Sequence, residues 1–395
     1  MASAIDSPLA PLDSAFSLYV HIPWCHSKCP YCDFNSHAAL VWPENDYVAA
    51  LLAEMEARSR EPSWNGRQLK TIFFGGGTPS LFAPASIGRI IDRAAALFGL
   101  RPDSEVTLEA NPGTVAEPKL AGMRAVGVNR ISFGAQSFNA ATLKFLGRIH
   151  SPDDTRAAVH AAHRAGFDRL NLDLIFAVPG QQIDDLNADI EALAALEPDH
   201  ISAYNLTFEE GTAFFVEMKR GRIKPLDSDD QATFYSFVRE ELPRRGYPMY
   251  EISNFAPPGH EARHNLAYWR AESYLGLGAG AHSFARDGMG GRRWWNERMP
   301  ARYAERAAHD GLAEAGAESI DATTAMGEFV FLNLRLRAGF AASGFESRFG
   351  KSFDSVFGAR AARLFEGGLL TRDAGRIFLT DRGLELADSV FAEFV

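Results

Sequence analysis

The sequence predicts an α/β protein built around a parallel sheet. Short β-type runs alternate with longer stretches of helical period, and nearly every β-type run ends in glycine, proline or an isolated polar residue. Such alternation calls for parallel strands joined by crossover helices, which an open doubly wound sheet or a barrel would satisfy. A third observation concerns size: 395 residues, 46% of them hydrophobic, can bury a large core and divide into two or three domains.

The elements follow in chain order. Residues 1–16 contain no Lys or Arg and no apolar run, so they lack the parts of a signal peptide and read as a flexible tail. Six β-type runs come next, at 18–22, 70–74, 105–109, 130–133, 169–174 and 200–205. Helical period marks 45–57, 85–98, 152–165, 183–195 and 229–242, and the whole of 17–245 reads as one βα core. From 246 to 316 the period is lost in a Trp- and Gly-rich stretch, expected to be an extension covering the mouth of the core. Residues 317–395 read as helices near 326–336 and 354–366, a hairpin at 369–371 and 376–380, and a helix from 381. That order suggests a winged-helix-like domain.

Composition excludes several functions. Forty basic against fifty acidic residues give a net charge of −10, which repels phosphate backbones. Winged helices often bind DNA, but this one carries nine basic against ten acidic residues from 320 on, so no nucleic-acid partner is expected. No apolar run reaches the roughly twenty residues needed to cross a bilayer, although contact with a membrane surface stays open. All three cysteines fall within eight residues, which points to a metal or redox site in a reducing, cytoplasmic compartment.

Cys25, Cys29 and Cys32 are close enough in sequence for their thiolates to share one inorganic centre. With no fourth cysteine, a four-iron cluster here would keep one iron open for a ligand. A Cys₃His zinc site using His21, His26 or His37, or plain reduced thiols, would also satisfy the spacing. In a parallel βα fold, ligands bind at the carboxyl ends of the strands. The polar residues that close the other strands should therefore converge with the cysteines.

The spacing Cys-x₃-Cys-x₂-Cys, with an aromatic residue before the last cysteine, resembles the radical S-adenosylmethionine superfamily. Tyr-Val-His-Ile-Pro-Trp-Cys at 19–25, Gly-Gly-Gly-Thr-Pro-Ser at 75–80, Glu-Ala-Asn-Pro-Gly at 109–113, Ser-Phe-Gly-Ala-Gln-Ser at 132–137 and Asn-Leu-Asp-Leu-Ile at 171–175 resemble, more narrowly, the oxygen-independent coproporphyrinogen III oxidase family. The resemblance runs from about residue 17 to the C-terminus. It implies a partial six-stranded parallel barrel of radical SAM type, followed by a helical C-terminal domain.

The same resemblance implies a 4Fe-4S cluster on Cys25, Cys29 and Cys32, with S-adenosylmethionine on the open iron. Tyr19 and Tyr31 would line that site. Gly76, Gly77 and Thr78 would meet the cofactor's amino group, Glu109 and Arg148 its polar methionine and ribose end, and Gln136 and Asp173 its ribose. Taken alone, Glu109 and Arg148 would pass for ordinary solvated charges. Asp173 would not, because it stands between Leu172 and Leu174 in an apolar run where an uncompensated carboxylate is costly.

One departure sorts the chain within the family. The oxidases add a fourth cysteine two residues after the third, and here that residue is Phe34. The resemblance is then to a branch of haem chaperones, whose His-Asn-x-x-Tyr-Trp signature matches residues 264–269. It implies haem b as bound cargo on His264 and apo-haemoproteins, respiratory ones among them, as acceptors; a homodimer is compatible with it. Trp294, Trp295 and His282 are candidates for completing an apolar haem pocket. The alternative is the oxidase itself, a radical SAM oxidative decarboxylation of porphyrinogen propionates. Read alone, a histidine beside aromatic residues is more often packed than ligating.

Overall fold

The structure, a computed structural model, describes residues 14–395. Most of the expected tail, residues 1–13, lies outside the described residues. The last two residues of that stretch belong instead to the first strand, β1 (Ala15–Ile22), where Phe16 is fully buried.

Five more strands follow: β2 (Gln68–Gly76), β3 (Leu100–Ala110), β4 (Arg130–Gln136), β5 (Leu170–Phe176) and β6 (His200–Asn205). Each lies beside its predecessor and parallel to it. The order never reverses, so the sheet has no switch point of the doubly wound kind. The arrangement is the partial parallel barrel.

The crossovers are helical: α1 (Glu44–Ser59), α2 (Pro84–Phe98), α3 (Glu117–Ala125), α4 (Pro152–Arg164) and α5 (Ile183–Ala194), with α6 (Ser228–Arg244) after β6. Their starts are set by local chemistry. Proline opens α2 at its first position, and Ser151 and Asp154 form a capping box on α4. The apolar faces of the helices and strands meet in one large core, with Leu18, Ile72, Leu108, Ile131, Leu172 and Ile201 contributed by successive strands.

The extension does not cover the mouth. Two short antiparallel strands, β7 (Met249–Glu251) and β8 (Asn254–Phe255), continue the sheet beyond β6. On the other side β9 (Tyr274–Leu277) pairs parallel with β1 and leads into an antiparallel meander of β10 (His282–Asp287), β11 (Gly290–Asn296) and β12 (Glu314–Ile320). Between them α7 (Arg263–Trp269) packs against strand segments well before their carboxyl ends: the amide N–H groups of Arg263 and His264 both donate to the Glu105 carboxylate. The region thus widens the sheet, supports the barrel through α7, and at Ala279 and Arg298 also reaches the segment after Cys32, whose Asn35 amide donates to both carbonyls. Its mixed parallel and antiparallel pairing explains why no single period was visible.

The C-terminal region is winged-helix-like, with α8 (Ala322–Leu334), α9 (Ala342–Phe349) and α10 (Phe353–Glu366) packed on a three-stranded antiparallel sheet. That sheet joins the hairpin β14 (Leu370–Asp373) and β15 (Arg376–Leu379) to a two-residue strand, β13 (Phe340–Ala341). Phenylalanines 329, 340, 345, 349, 353 and 357 lie at the centre of a second core that also takes Val330, Leu334, Ile377 and Leu379.

Candidate functional site: a cavity from the cysteine loop into the barrel

All three cysteines sit on one loop that is held at both ends. Trp24–Cys25 pairs parallel with His37–Ala38, and the Lys28 ammonium donates to the carbonyls of Phe34 at 3.0 Å and Ser36 at 3.1 Å. The Asn35 amide ties the loop to the carbonyls of Ala279 and Arg298. The loop also crowds the chain beyond β4: a side chain at Gly147 would come within 2.5 Å of the Pro30 ring.

The thiols line one wall of a cavity of about 610 Å³, a size suited to a cofactor or small ligand. Arg148 donates to the Cys29 sulfur at 3.4 Å and to the Gly134 carbonyl at 3.0 Å; Thr78 donates to the Cys25 sulfur at 3.3 Å. Among the described residues no group of three or more His, Cys, Asp or Glu side chains is gathered as ligands of a single ion. The three thiols share one cavity wall, a donor set that fits an inorganic body in which each metal takes one thiolate. Burial pushes the Cys25 and Cys32 thiols up, and a bound cationic centre would reverse that.

The predicted cofactor residues surround the same space. Tyr31, Gly76, Gly77, Thr78, Glu109, Gln136, Arg148 and Asp173 all line the cavity. Gly77 must be glycine, since a Cβ there would stand 2.5 Å from the Trp24 carbonyl oxygen. Glu109 accepts the Gly76 N–H at 3.2 Å, yet burial first and the Asp173 charge second push its carboxyl up to about 8. Asp173 is raised by burial as well, against hydrogen bonds from Asn171 and Ser202. Gln136 has a left-handed backbone (φ 65°), and its Oε1 is buried without a hydrogen-bond partner among the described residues. A buried acceptor left open in a cavity wall fits a hydroxyl-bearing ligand.

Two predicted residues lie elsewhere. Tyr19 is not among the lining residues, and its hydroxyl meets His21 Nδ1 at 2.9 Å. His264 is 1% exposed, with Nδ1 on the Thr71 hydroxyl at 2.8 Å and Nε2 on the Tyr268 hydroxyl at 2.9 Å, and its ring stacks on Phe73. Both ring nitrogens are taken, so His264 does not face the cavity in this conformation. Nor do Trp294, Trp295 and His282 form a pocket with it. Trp294 is buried beside Trp64, while Trp295 stacks on His282.

Other residues also line the cavity: Arg130, Ser132, Asn171, His200, Ser202 and Arg335, of which only Ser132 and Asn171 fall within a quoted motif, and neither was assigned a role there. The period-two pattern of β4 to β6 would have found the first five, since each is polar at an inward position.

A parallel partial barrel with three cysteines of this spacing beyond its first strand defines the class of radical S-adenosylmethionine proteins. The sequence profile of the Radical SAM superfamily matches residues 19–193, and that of the HemN C-terminal domain matches 320–386. The Lactococcus lactis protein named heme chaperone HemW is 34% identical over 96% of this chain and 97% of its own length; its Mycobacterium tuberculosis namesake is 38% identical over 97% and 95%. The chain belongs to the HemW family. Its fold is also that of the Escherichia coli coproporphyrinogen III oxidase HemN, with a TM-score of 0.83 over 97% of this chain and 90% of that one at 24% identity. The family implies a 4Fe-4S cluster and S-adenosylmethionine.

Proposed function

We propose that the protein is a cytoplasmic haem chaperone that binds haem together with a cluster and S-adenosylmethionine and passes haem to apo-haemoproteins. The relatives named heme chaperone support the cargo. Cys25, Cys29 and Cys32 would hold the cluster, whose open iron would bind the cofactor's methionine end and could deliver an electron to it. The chain's own residues do the positioning: Gly76 and Gly77 admit the ligand, Glu109 and Arg148 meet its charges, and Gln136 and Asp173 take its hydroxyls.

The observation that carries the reading is at position 34. Phe34, 60% exposed on the cavity rim, stands where the oxidases have a fourth cysteine, and offers an apolar surface instead of a thiol. His264 is the proposed iron ligand, with the condition that α7 opens to free a ring nitrogen from Thr71 or Tyr268.

The test is to add haem to the anaerobically reconstituted protein and to the His264→Ala variant, with a coproporphyrinogen III oxidation assay on the same samples. Stoichiometric haem binding without oxidation is expected, weakened in the variant. Multiple turnover of porphyrinogen with weak haem binding would make the protein an oxidase. Unchanged haem binding in the variant would move the iron ligand away from His264.

A further inference from the structure

The cavity has an inner end that the cluster and cofactor residues leave unused. Arg130, Ser132 and Gly134 are alternate residues of β4, and all line it. Arg130 is the first residue of that strand, while Arg148 is tied to Gly134 four residues further on, roughly 13 Å away at the rise of a strand. A guanidinium therefore stands at each end.

The Arg130 residue is 4% exposed, and among the described residues its Nη2 is buried with no hydrogen-bond partner. A buried guanidinium with an idle donor is costly unless something brings it an acceptor. A third guanidinium shares the cavity. Arg335, just after α8, has its guanidinium carbon 4.3 Å from the centre of the Trp269 ring, and its Nε is likewise buried without a partner. Asn265 of α7 lines the cavity too.

Among the described residues, neighbouring acids reach the pair by charge, with no ion pair or hydrogen bond between them and either guanidinium, although one Glu251 carboxylate oxygen is also buried without a partner. Asp173 feels the Arg130 charge but takes its hydrogen bond from Asn171 at 2.8 Å, and Glu251, near Arg335, accepts from the Asn254 amide. Asp388 lines the cavity from an exposed position. His200 adds no donor, since Asn171 and Tyr250 occupy both of its ring nitrogens.

We infer that Arg130 and Arg335, with Asn265, form a carboxylate subsite that takes a propionate of the tetrapyrrole cargo at the inner end of the cavity. The inference rests on the haem reading above and deepens it. Haem carries two carboxylates, and planar guanidinium forks are the side chains best matched to them. The cofactor's methionine carboxylate is the other source of the same chemistry, but it belongs with Arg148 beside Cys29, at the opposite end. The C-terminal region then contributes to ligand binding through Arg335.

The test titrates haem and haem dimethyl ester, in which both propionates are capped, into reconstituted wild-type protein, Arg130→Gln and Arg335→Gln. Haem should bind each variant about tenfold or more weakly than wild type, as expected for a lost charge-assisted hydrogen bond. The diester should bind all three proteins alike, and S-adenosylmethionine affinity should not change in Arg335→Gln, whose side chain touches none of the cofactor residues among those described. Equal haem affinity in Arg335→Gln and wild type would overturn the proposal. So would a matching loss for the diester, which would report damaged packing, or a parallel loss of S-adenosylmethionine in Arg335→Gln, which would assign the carboxylate to the cofactor. No haem binding by wild type would overturn the chaperone reading and this inference with it.

Discussion

The Thr71 hydroxyl and the His264 ring meet at 2.8 Å across 193 residues of chain, joining β2 to α7. Tyr268, one turn further along α7, holds the other ring nitrogen at 2.9 Å. The histidine is thereby a fastener between the barrel and the extension. Burial first, then the charges of Lys70 and Arg130, lower its pKa to about 3, so it is neutral in the folded protein at every pH of interest.

That value makes a pH prediction. The folded pKa lies below the unfolded value near 6.5, so in the window between them the unfolded chain binds a proton that the folded one does not. The His264 contribution is therefore complete above about 6.5 and is lost as pH falls toward 3, with a slope of up to about 1.4 kcal/mol per pH unit. His21 and His150, each lowered to about 4 chiefly by burial, add to the same slope. Urea unfolding of wild type and His264→Gln between pH 7 and 5 checks it. The variant should be less stable at pH 7 and show a shallower pH dependence; an equal slope would contradict the assignment.

Replacement of Cys29 by Ala should abolish the broad visible absorption of the reconstituted protein and its bound sulfide. Thr78→Val removes only the donor to the Cys25 sulfur and should leave the cluster in place with altered stability toward oxidation. Full iron and sulfide content in the Cys29 variant would count against ligation by the three cysteines.

Much of this architecture was legible because each level agreed with the next. The six parallel strands announced themselves as short apolar runs, most of them shorter than the strands observed; the cysteines, Gly77 and Glu109 stood at strand ends, while Asp173 sits mid-strand in β5. Placing His264 needed tertiary information, because its partners Thr71 and Glu105 are far away in sequence and nothing in the local pattern says which face of α7 is buried. Arg130 was hidden for another reason. In sequence it resembles any charge at the start of a strand, and the strand's alternation places it on the face of Ser132 and Gly134 without saying that this face lines a cavity.

Gly77→Ala should be far more damaging than its single added methyl suggests. The Cβ would meet the Trp24 backbone, whose carbonyl already accepts the Thr78 N–H at 2.8 Å and cannot yield as a flexible side chain would. Overpacking of this kind costs about 1–3 kcal/mol. A lower urea midpoint with an unchanged m-value, together with weakened S-adenosylmethionine binding, is the expected result. Wild-type affinity would mean that the backbone has room the structure does not show.

Glu109 gives the most specific signature of ligand binding. With its carboxyl pushed up to about 8 by burial and by Asp173, it carries a proton in the free protein at pH 7. An ammonium placed beside it favours the carboxylate, so binding of S-adenosylmethionine at pH 7 should release close to one proton, and affinity should rise with pH until about 8. Calorimetric titrations in two buffers of different ionisation heat measure that release directly. In Glu109→Gln the release should vanish and affinity should fall about tenfold or more, in line with the loss of a charge-assisted contact. If wild type releases no proton while binding tightly, the ammonium sits away from Glu109, and Asp173 becomes the carboxylate to test next.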